Sequence, residues 1–272
     1  MLEFIKNELL KVGIDTVGAL PPSTYTVTRA YKLKKYGFED NDKLSVVIFA
    51  IPYYTEHKEK NISSYAIPRD YHMFCRELFS ALLPALKGEF SEYKFAGFAD
   101  DSPIDEREAA AKAGLGIIGD NGLIITEKYS SYVFFAEIIT DFPINAEASE
   151  IKHCEGCGLC KKCCPIEEIG ECLSALTQKK GELTEKEANA IKKYGCAWGC
   201  DLCQESCPHT LKAISQRTIN TKIKFFQNDL TPILTTDLIQ GMSDEDFSNR
   251  AYSWRKKETI LRNLSLIENK KG

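Results

Sequence analysis

Eight of the chain's eleven cysteines fall into one spaced pattern. The first block is Cys154-x2-Cys157-x2-Cys160-x3-Cys164-Pro165, and the second is Cys200-x2-Cys203-x3-Cys207-Pro208, with Cys172 between them. A C-x2-C-x2-C loop can curl three thiolates around one cube of iron and sulfide, while the remote cysteine before proline serves a neighbouring cluster. A lone CxxC would read equally well as a zinc knuckle or a redox dithiol. Here the full spacing is followed by a second cysteine set, and both sets end in Cys-Pro. The spacing therefore predicts two [4Fe–4S] clusters and single-electron chemistry at low potential.

The rest of the composition narrows the class. At 272 residues and 43% hydrophobic, the chain is long enough for one large or two modest domains with a real core. No run approaches the ~18 apolar residues of a membrane span, so no membrane partner is expected. The start, MLEFIKNELLKVG, reads as an amphipathic helix with mixed charges, not a signal peptide. That places the cysteines in the reducing cytoplasm and favours metal ligands over disulfides. A net charge of −4 argues against a globally basic nucleic-acid binder, although residues after His209 carry a local excess of Lys and Arg.

Residues 1–150 alternate helical and strand signals, which predicts an α/β domain. Leu2, Ile5, Leu9 and Val12 mark a helix face that Gly13 ends. Leu44 to Tyr53 is a continuous apolar run and reads as a buried strand. Tyr71 to Leu86 and Asp105 to Ala113 read as helices, and Tyr93–Ala99, Leu123–Thr126 and Tyr132–Thr140 as strands. Residues 151–210 show little besides cysteines that could form a core, so metal is expected to organise them. Thr184-x-x-Glu187 predicts a capping box and a helix to about Tyr194, and Ser243-x-x-Asp246 resembles a second one. Residues 211–272 are expected to be mostly helical, with Trp254 to Ile267 in helical spacing and a polar end.

Gly114-x-Gly116-x-x-Gly119 matches the dinucleotide fingerprint by letter, but it follows a helix and opens a strand, the reverse of a Rossmann loop. Its glycines predict close backbone approach, either in a tight connection or against a cofactor. From this loop onward the chain resembles the epoxyqueuosine reductase family. The family's V-D-T-G-P, G-x-G-x-x-G-K-N, C-x2-C-x2-C-x3-C-P, R-C-I-S-Y-L-T and G-C-D-x-C-Q-x-x-C-P segments are similar to ADDSP, GLGIIGDN, CEGCGLCKKCCP, ECLSALT and GCDLCQESCP here. Arg69-Asp70-Tyr71-His72 resembles the family's R-D-Y-H, and Arg262-Asn263 its L-L-R-N.

The resemblance implies an α/β (α+β) cobalamin-binding catalytic domain over 1–150. A ferredoxin-like double [4Fe–4S] domain over 151–210 and a helical C-terminal segment over 211–272 would follow. It implies reduction of epoxyqueuosine to queuosine in tRNA, with cobalamin and two [4Fe–4S] clusters as cofactors. The expected partners are the tRNA anticodon stem-loop and a low-potential donor such as ferredoxin or flavodoxin. Asp100 would be the proton donor, and Asp70, Tyr71, His72, Gly116 and Asn121 would neighbour the corrinoid. Cys154, Cys157, Cys160 and Cys207 would hold one cluster, and Cys164, Cys172, Cys200 and Cys203 the other. Cys163 and Cys196 stand as substitutes for Cys172.

Departures are specific. The family's G-K-N is Gly119-Asp120-Asn121, and its Thr-Gly before proline is Asp101-Ser102. Typical members continue into a C-terminal helical-repeat region that helps grip tRNA, whereas this chain is expected to be a short member without it. For Asp100 to donate a proton near neutral pH, burial or the charge of Asp101 would have to raise its pKa. Two other readings fit the cysteines. One is a corrinoid and iron–sulfur reductase of a small molecule. The other is a two-cluster, ferredoxin-like electron carrier.

Overall fold

The unbroken apolar run after Leu44 becomes the strand β2 at the middle of a four-stranded sheet. The computed structural model describes residues 1–39 and 43–268; the polar end beyond Glu268 lies outside them. The strands are β1 (Thr16–Leu20), β2 (Ser45–Pro52), β3 (Phe95–Phe98), β4 (Ile117–Ile118), β5 (Ile124–Ile125) and β6 (Val133–Thr140). The sheet runs β1-β2-β6-β3 with every pairing antiparallel. Every residue of β2 is buried, which explains why its sequence does not alternate: both faces are covered. On one face Val46, Ile48, Ala96, Phe98 and Ile139 meet Ala109, Ala110 and Ala111 of helix Glu106–Lys112. Three alanines in a row let that helix approach closely, and the Asp105 side chain caps it by accepting from the amides of Arg107 and Glu108. On the other face Phe49 meets Phe79 of helix Tyr71–Glu89 edge-on, with centroids 6.4 Å apart.

Contacts divide the chain into two units. The first comprises Met1–Tyr53, Phe74–Cys157 and His209–Lys224; the second comprises Tyr54–Met73, Gly158–Pro208 and Phe225–Gly272. The first unit holds the sheet. The second is helical, and one of its cores gathers Ile62, Ala66, Ile67, Trp198, Leu234, Phe247, Tyr252, Ile260 and Leu264.

Several expectations need correction. Strand β1 carries no obvious signal, because five residues with a central glycine are too short for a periodic pattern. The first helix ends at Lys11 with Gly13 at φ +93°, but Val12 is exposed and Ile14 takes the buried place. Residues 158–208 do have an apolar core: Ile169, Leu173, Leu176, Ala190 and Ile191 pack together. These residues lie on separate short helices, so no single apolar run reveals them. The C-terminal stretch is helical over most of its described residues, with one long irregular segment. Between helix Pro208–Ser215 and helix Thr236–Gly241 the only helical turn is 3₁₀, at Lys224–Gln227, where β-branched residues and Pro232 disfavour regular helix. The capping box holds: Thr184 and Glu187 cap helix Glu185–Tyr194 reciprocally. Among the described residues no helix is long and apolar enough to cross a membrane.

Candidate active site and cluster ligands

β3 ends at Phe98, and the chain turns sharply at Asp100, which adopts φ +63° and is exposed. Aspartate tolerates this left-handed backbone better than most residues. The turn is fixed from both sides: the Asp100 amide donates to Glu106 Oε1 at 3.1 Å, and the Asp101 amide to the Ala99 carbonyl at 2.8 Å. Asp100 lines an open cleft of about 500 Å³ with Thr28, Arg29, Ile104, Glu106 and Arg107. Asp101 faces other partners. Its carboxylate takes the Lys32 ammonium and, at 2.6 Å, the Arg29 guanidinium. The hydrogen bond from Lys32, aided by both positive charges, holds Asp101 below the usual carboxylate range. The expectation that a bare Asp101 charge presses on Asp100 is therefore corrected, since two cations already engage it.

Sequence reasoning missed two acids next to this turn. Glu137 lies mid-strand in β6, opposite Ile48 of β2 and Phe98 of β3, and is fully buried. Its Oε1 accepts from the buried hydroxyl of Ser102. Glu106 contacts Glu137. Burial, with the neighbouring Glu106 charge, pushes Glu137 well above the ordinary carboxylate range. Burial likewise lifts Glu106 to about 7. A lone glutamate inside VFFAEIIT was the available signal.

The glycine motif is not a phosphate loop. β4 lies inside it and pairs with β5 as a two-stranded ribbon. A Cβ at Gly116 would stand 2.4 Å from the Ile125 carbonyl oxygen, so glycine is needed for the ribbon itself. Asn121 Oδ1 accepts from the Leu123 amide at 3.2 Å and shapes the turn. The ribbon also receives the first cysteine segment: Ile118 bonds the Lys152 carbonyl at 2.8 Å, and the Cys154 amide bonds the Ile118 carbonyl at 3.0 Å. The Asp120 amide donates to Cys154 Sγ at 3.3 Å. Amide donation of this kind tunes the potential of a thiolate-held cluster. His209 Nε2 meets Glu155 at 3.2 Å, and Cys75 is a buried core residue in the helix Tyr71–Glu89.

In the second unit, Asp201, between Cys200 and Cys203, is buried and fully engaged. It accepts from Lys60, from the Ser63 hydroxyl, from the Ser64 amide and hydroxyl, each at 2.7 Å, and from Gln204 at 3.2 Å. Burial opposes the Lys60 charge, but Asp201 and Glu205 together hold its pKa above the ordinary value. Cys163 Sγ is tied to the Leu202 carbonyl at 3.2 Å and to Ser206 Oγ at 3.1 Å. Cys172 is exposed at the start of helix Leu173–Thr177, and Cys196 sits against Cys200. Trp198 is a core residue whose indole donates to Tyr65 Oη at 2.8 Å. Asp70 caps the next helix, accepting from the His72 amide at 2.9 Å and meeting His72 Nδ1 at 2.8 Å, while Tyr71 lies against the His72 ring.

A family model described as "Epoxyqueuosine reductase QueG, DUF1730" matches residues 41–101. The epoxyqueuosine reductase of Gloeobacter violaceus is 30% identical over 231 residues, covering 80% of this chain and 71% of that protein. The chain belongs to the epoxyqueuosine reductase family. The Lactococcus garvieae epoxyqueuosine reductase is also 30% identical, over 78% of this chain, but the match spans only 62% of that relative's length. A crystal structure of an epoxyqueuosine reductase with an epoxyqueuosine-modified tRNA-Tyr stem loop shares the fold. It has a TM-score of 0.75 and 24% identity, covering 98% of this chain and 81% of that chain.

The donor chemistry fits iron–sulfur clusters. All eleven cysteines are thiols, with Cys157 and Cys172 exposed and Cys154, Cys160, Cys164, Cys200 and Cys203 half-buried. Left-handed backbone at Gly156 and Gly158 bends the C-x2-C-x2-C segment between its cysteines. Among the described residues no three His, Cys, Asp or Glu side chains converge on a site for a single ion. The cleft at Asp100, lined mainly by polar and charged side chains, would suit contact with the polar rim of a large cofactor ring.

Proposed function

We propose that this chain reduces epoxyqueuosine to queuosine in the anticodon stem-loop of tRNA, in the reducing cytoplasm. The observation that carries the reading is the Asp100 turn, a carboxyl group presented at an open cleft in a chain that also bears the doubled cysteine pattern. In this reading Cys154, Cys157, Cys160 and Cys207 hold one [4Fe–4S] cluster, and Cys164, Cys172, Cys200 and Cys203 hold the other. The engagement of Cys163 Sγ by Leu202 and Ser206 supports leaving that thiol out of the ligand set. Cobalamin, when bound, supplies a low-potential cobalt centre for two-electron reduction. Asp70, Tyr71, His72, Gly116 and Asn121 would neighbour it.

The chain's own residues handle the substrate and the protons. Asp100 gives a proton to the departing oxygen as general acid. Arg29 and Lys32 hold the Asp101 side of the turn so that Asp100 stays at the cleft. Electrons arrive singly from a ferredoxin or flavodoxin. Family membership favours this reading over a small-molecule reductase or a plain electron carrier. The test is nucleoside analysis of tRNA from cells that lack their own epoxyqueuosine reductase. Expressing this chain should convert epoxyqueuosine to queuosine, and its Asp100→Asn variant should not. Unchanged epoxyqueuosine with a chain that carries both clusters would overturn the reading.

A further inference from the structure

Converting an epoxide to an alkene breaks two C–O bonds, takes up two electrons and releases the oxygen as water. The oxygen therefore needs two protons, and in the reading above Asp100 delivers both in turn. The fold stores carboxyl groups directly behind it. Glu137 is wholly buried, its Oε1 receives the Ser102 hydroxyl, and its Oε2 has no hydrogen-bond donor among the described residues. Its carboxyl contacts that of Glu106, whose Oε1 in turn accepts the Asp100 amide. Two ionised carboxylates pressed together in an apolar layer repel each other and lack solvation. A single proton between them removes the repulsion and supplies the donor that Glu137 Oε2 lacks.

We propose that Glu106 and Glu137 share one proton and form a store that reprotonates Asp100, so that a second proton reaches the departing oxygen. The inference rests on the reductase reading above. Glu137 is the buried end of the store, and Glu106 is the half-buried link to the cleft. The surrounding charges suit this role. Arg29 lowers the cost of charge on Glu106 while also pairing with Asp101, and the Asp100 charge acts in the opposite sense. Lys32 is committed to Asp101. Asp105 is engaged by the Arg107 and Glu108 amides, and Glu108 by Lys112 and the Thr26 amide. The lifted pKa of Glu106, about 7, fits a group that gives up a proton near neutrality.

Two measurements on the cluster-loaded protein test this. The first is the infrared carbonyl band of a protonated, buried carboxyl group in substrate-free protein at neutral pH. Wild type should show it and Glu137→Gln should lose it, whether or not the protein ever turns over. The second is the pH profile of epoxyqueuosine reduction. Glu106→Gln and Glu137→Gln should each slow turnover by about 10²-fold, the lower end for proton-transfer catalysis, and shift the alkaline limb. Glu106→Asp should recover part of the rate. Absence of the infrared band in wild type would overturn the shared proton. Its presence, combined with full activity and an unshifted profile in both glutamine variants, would overturn the store. A wild type that shows the band but never reduces epoxyqueuosine would sink the reductase reading and with it the store, while leaving the shared proton in place.

Discussion

Lys60 reaches the buried carboxylate of Asp201, which directly follows Cys200 in the second cysteine loop. Ser63 and Ser64 bind the same carboxylate, so the segment around Lys60 and the second cysteine loop are joined through one side chain. Removing one partner of a buried ion pair leaves an uncompensated charge and costs about 3–5 kcal/mol. Asp201→Ala should therefore lower the denaturation midpoint markedly and reduce iron content, whereas Asp201→Asn should do both more mildly. Wild-type stability and iron in Asp201→Ala would show that this joint does not hold the loop.

Cys163 stands beside Cys164 but turns its sulfur to Leu202 and Ser206. Cys163→Ala should keep about eight irons per chain, the content of two [4Fe–4S] clusters, while Cys157→Ala should lose about half. Iron analysis and electron paramagnetic resonance of the reduced protein separate the two cases. Loss of a cluster in Cys163→Ala would move it into the ligand set.

Asp100 and Asp101 should differ sharply. Asp100→Asn should leave cluster content and cobalamin binding intact while turnover falls ~10²–10⁴-fold. Asp101 is held by Lys32 and Arg29 at the surface. Asp101→Asn should therefore weaken turnover modestly, through a looser turn, without moving the pH optimum. Full activity in Asp100→Asn with a dead Asp101→Asn would reassign the donor by one position.

The acid pair also sets a pH signature of stability. Glu106 is raised from an ordinary 4.5 to about 7, and Glu137 is raised as well, chiefly by burial. The folded state then binds protons more tightly than the unfolded chain. The stabilisation is complete below about 4.5 and is lost as pH rises through about 7. Wild type should lose on the order of 2 kcal/mol between about pH 5 and pH 8, and Glu137→Gln should show a flatter profile. Denaturant titrations at both pH values measure it, and parallel profiles would contradict the assignment.

What was legible in the sequence is what is local. Cysteine spacing, the Thr184–Glu187 capping box and the apolar run of β2 each involve residues a few positions apart. The mismatch between the glycine motif and its surroundings was equally local, and the ribbon β4–β5 explains it. The remaining features depend on residues that meet only in the folded chain. Nothing near Glu137 in sequence announces Glu106. Asp201 sits in a recognisable cysteine motif, yet its partners Lys60, Ser63 and Ser64 lie far upstream. The core of Ile169, Leu176 and Ile191 was hidden for the same reason, because each short helix contributes only one or two residues.

The central claim is tested most directly by incubating the purified, cluster-loaded chain anaerobically with cobalamin, a low-potential reductant and an epoxyqueuosine-containing tRNA stem-loop. Digestion and mass analysis of the nucleosides then give the outcome. Conversion to queuosine, dependent on cobalamin and abolished in Asp100→Asn, is the predicted result. Intact epoxyqueuosine after reduction of both clusters, with cobalamin bound, would contradict the account.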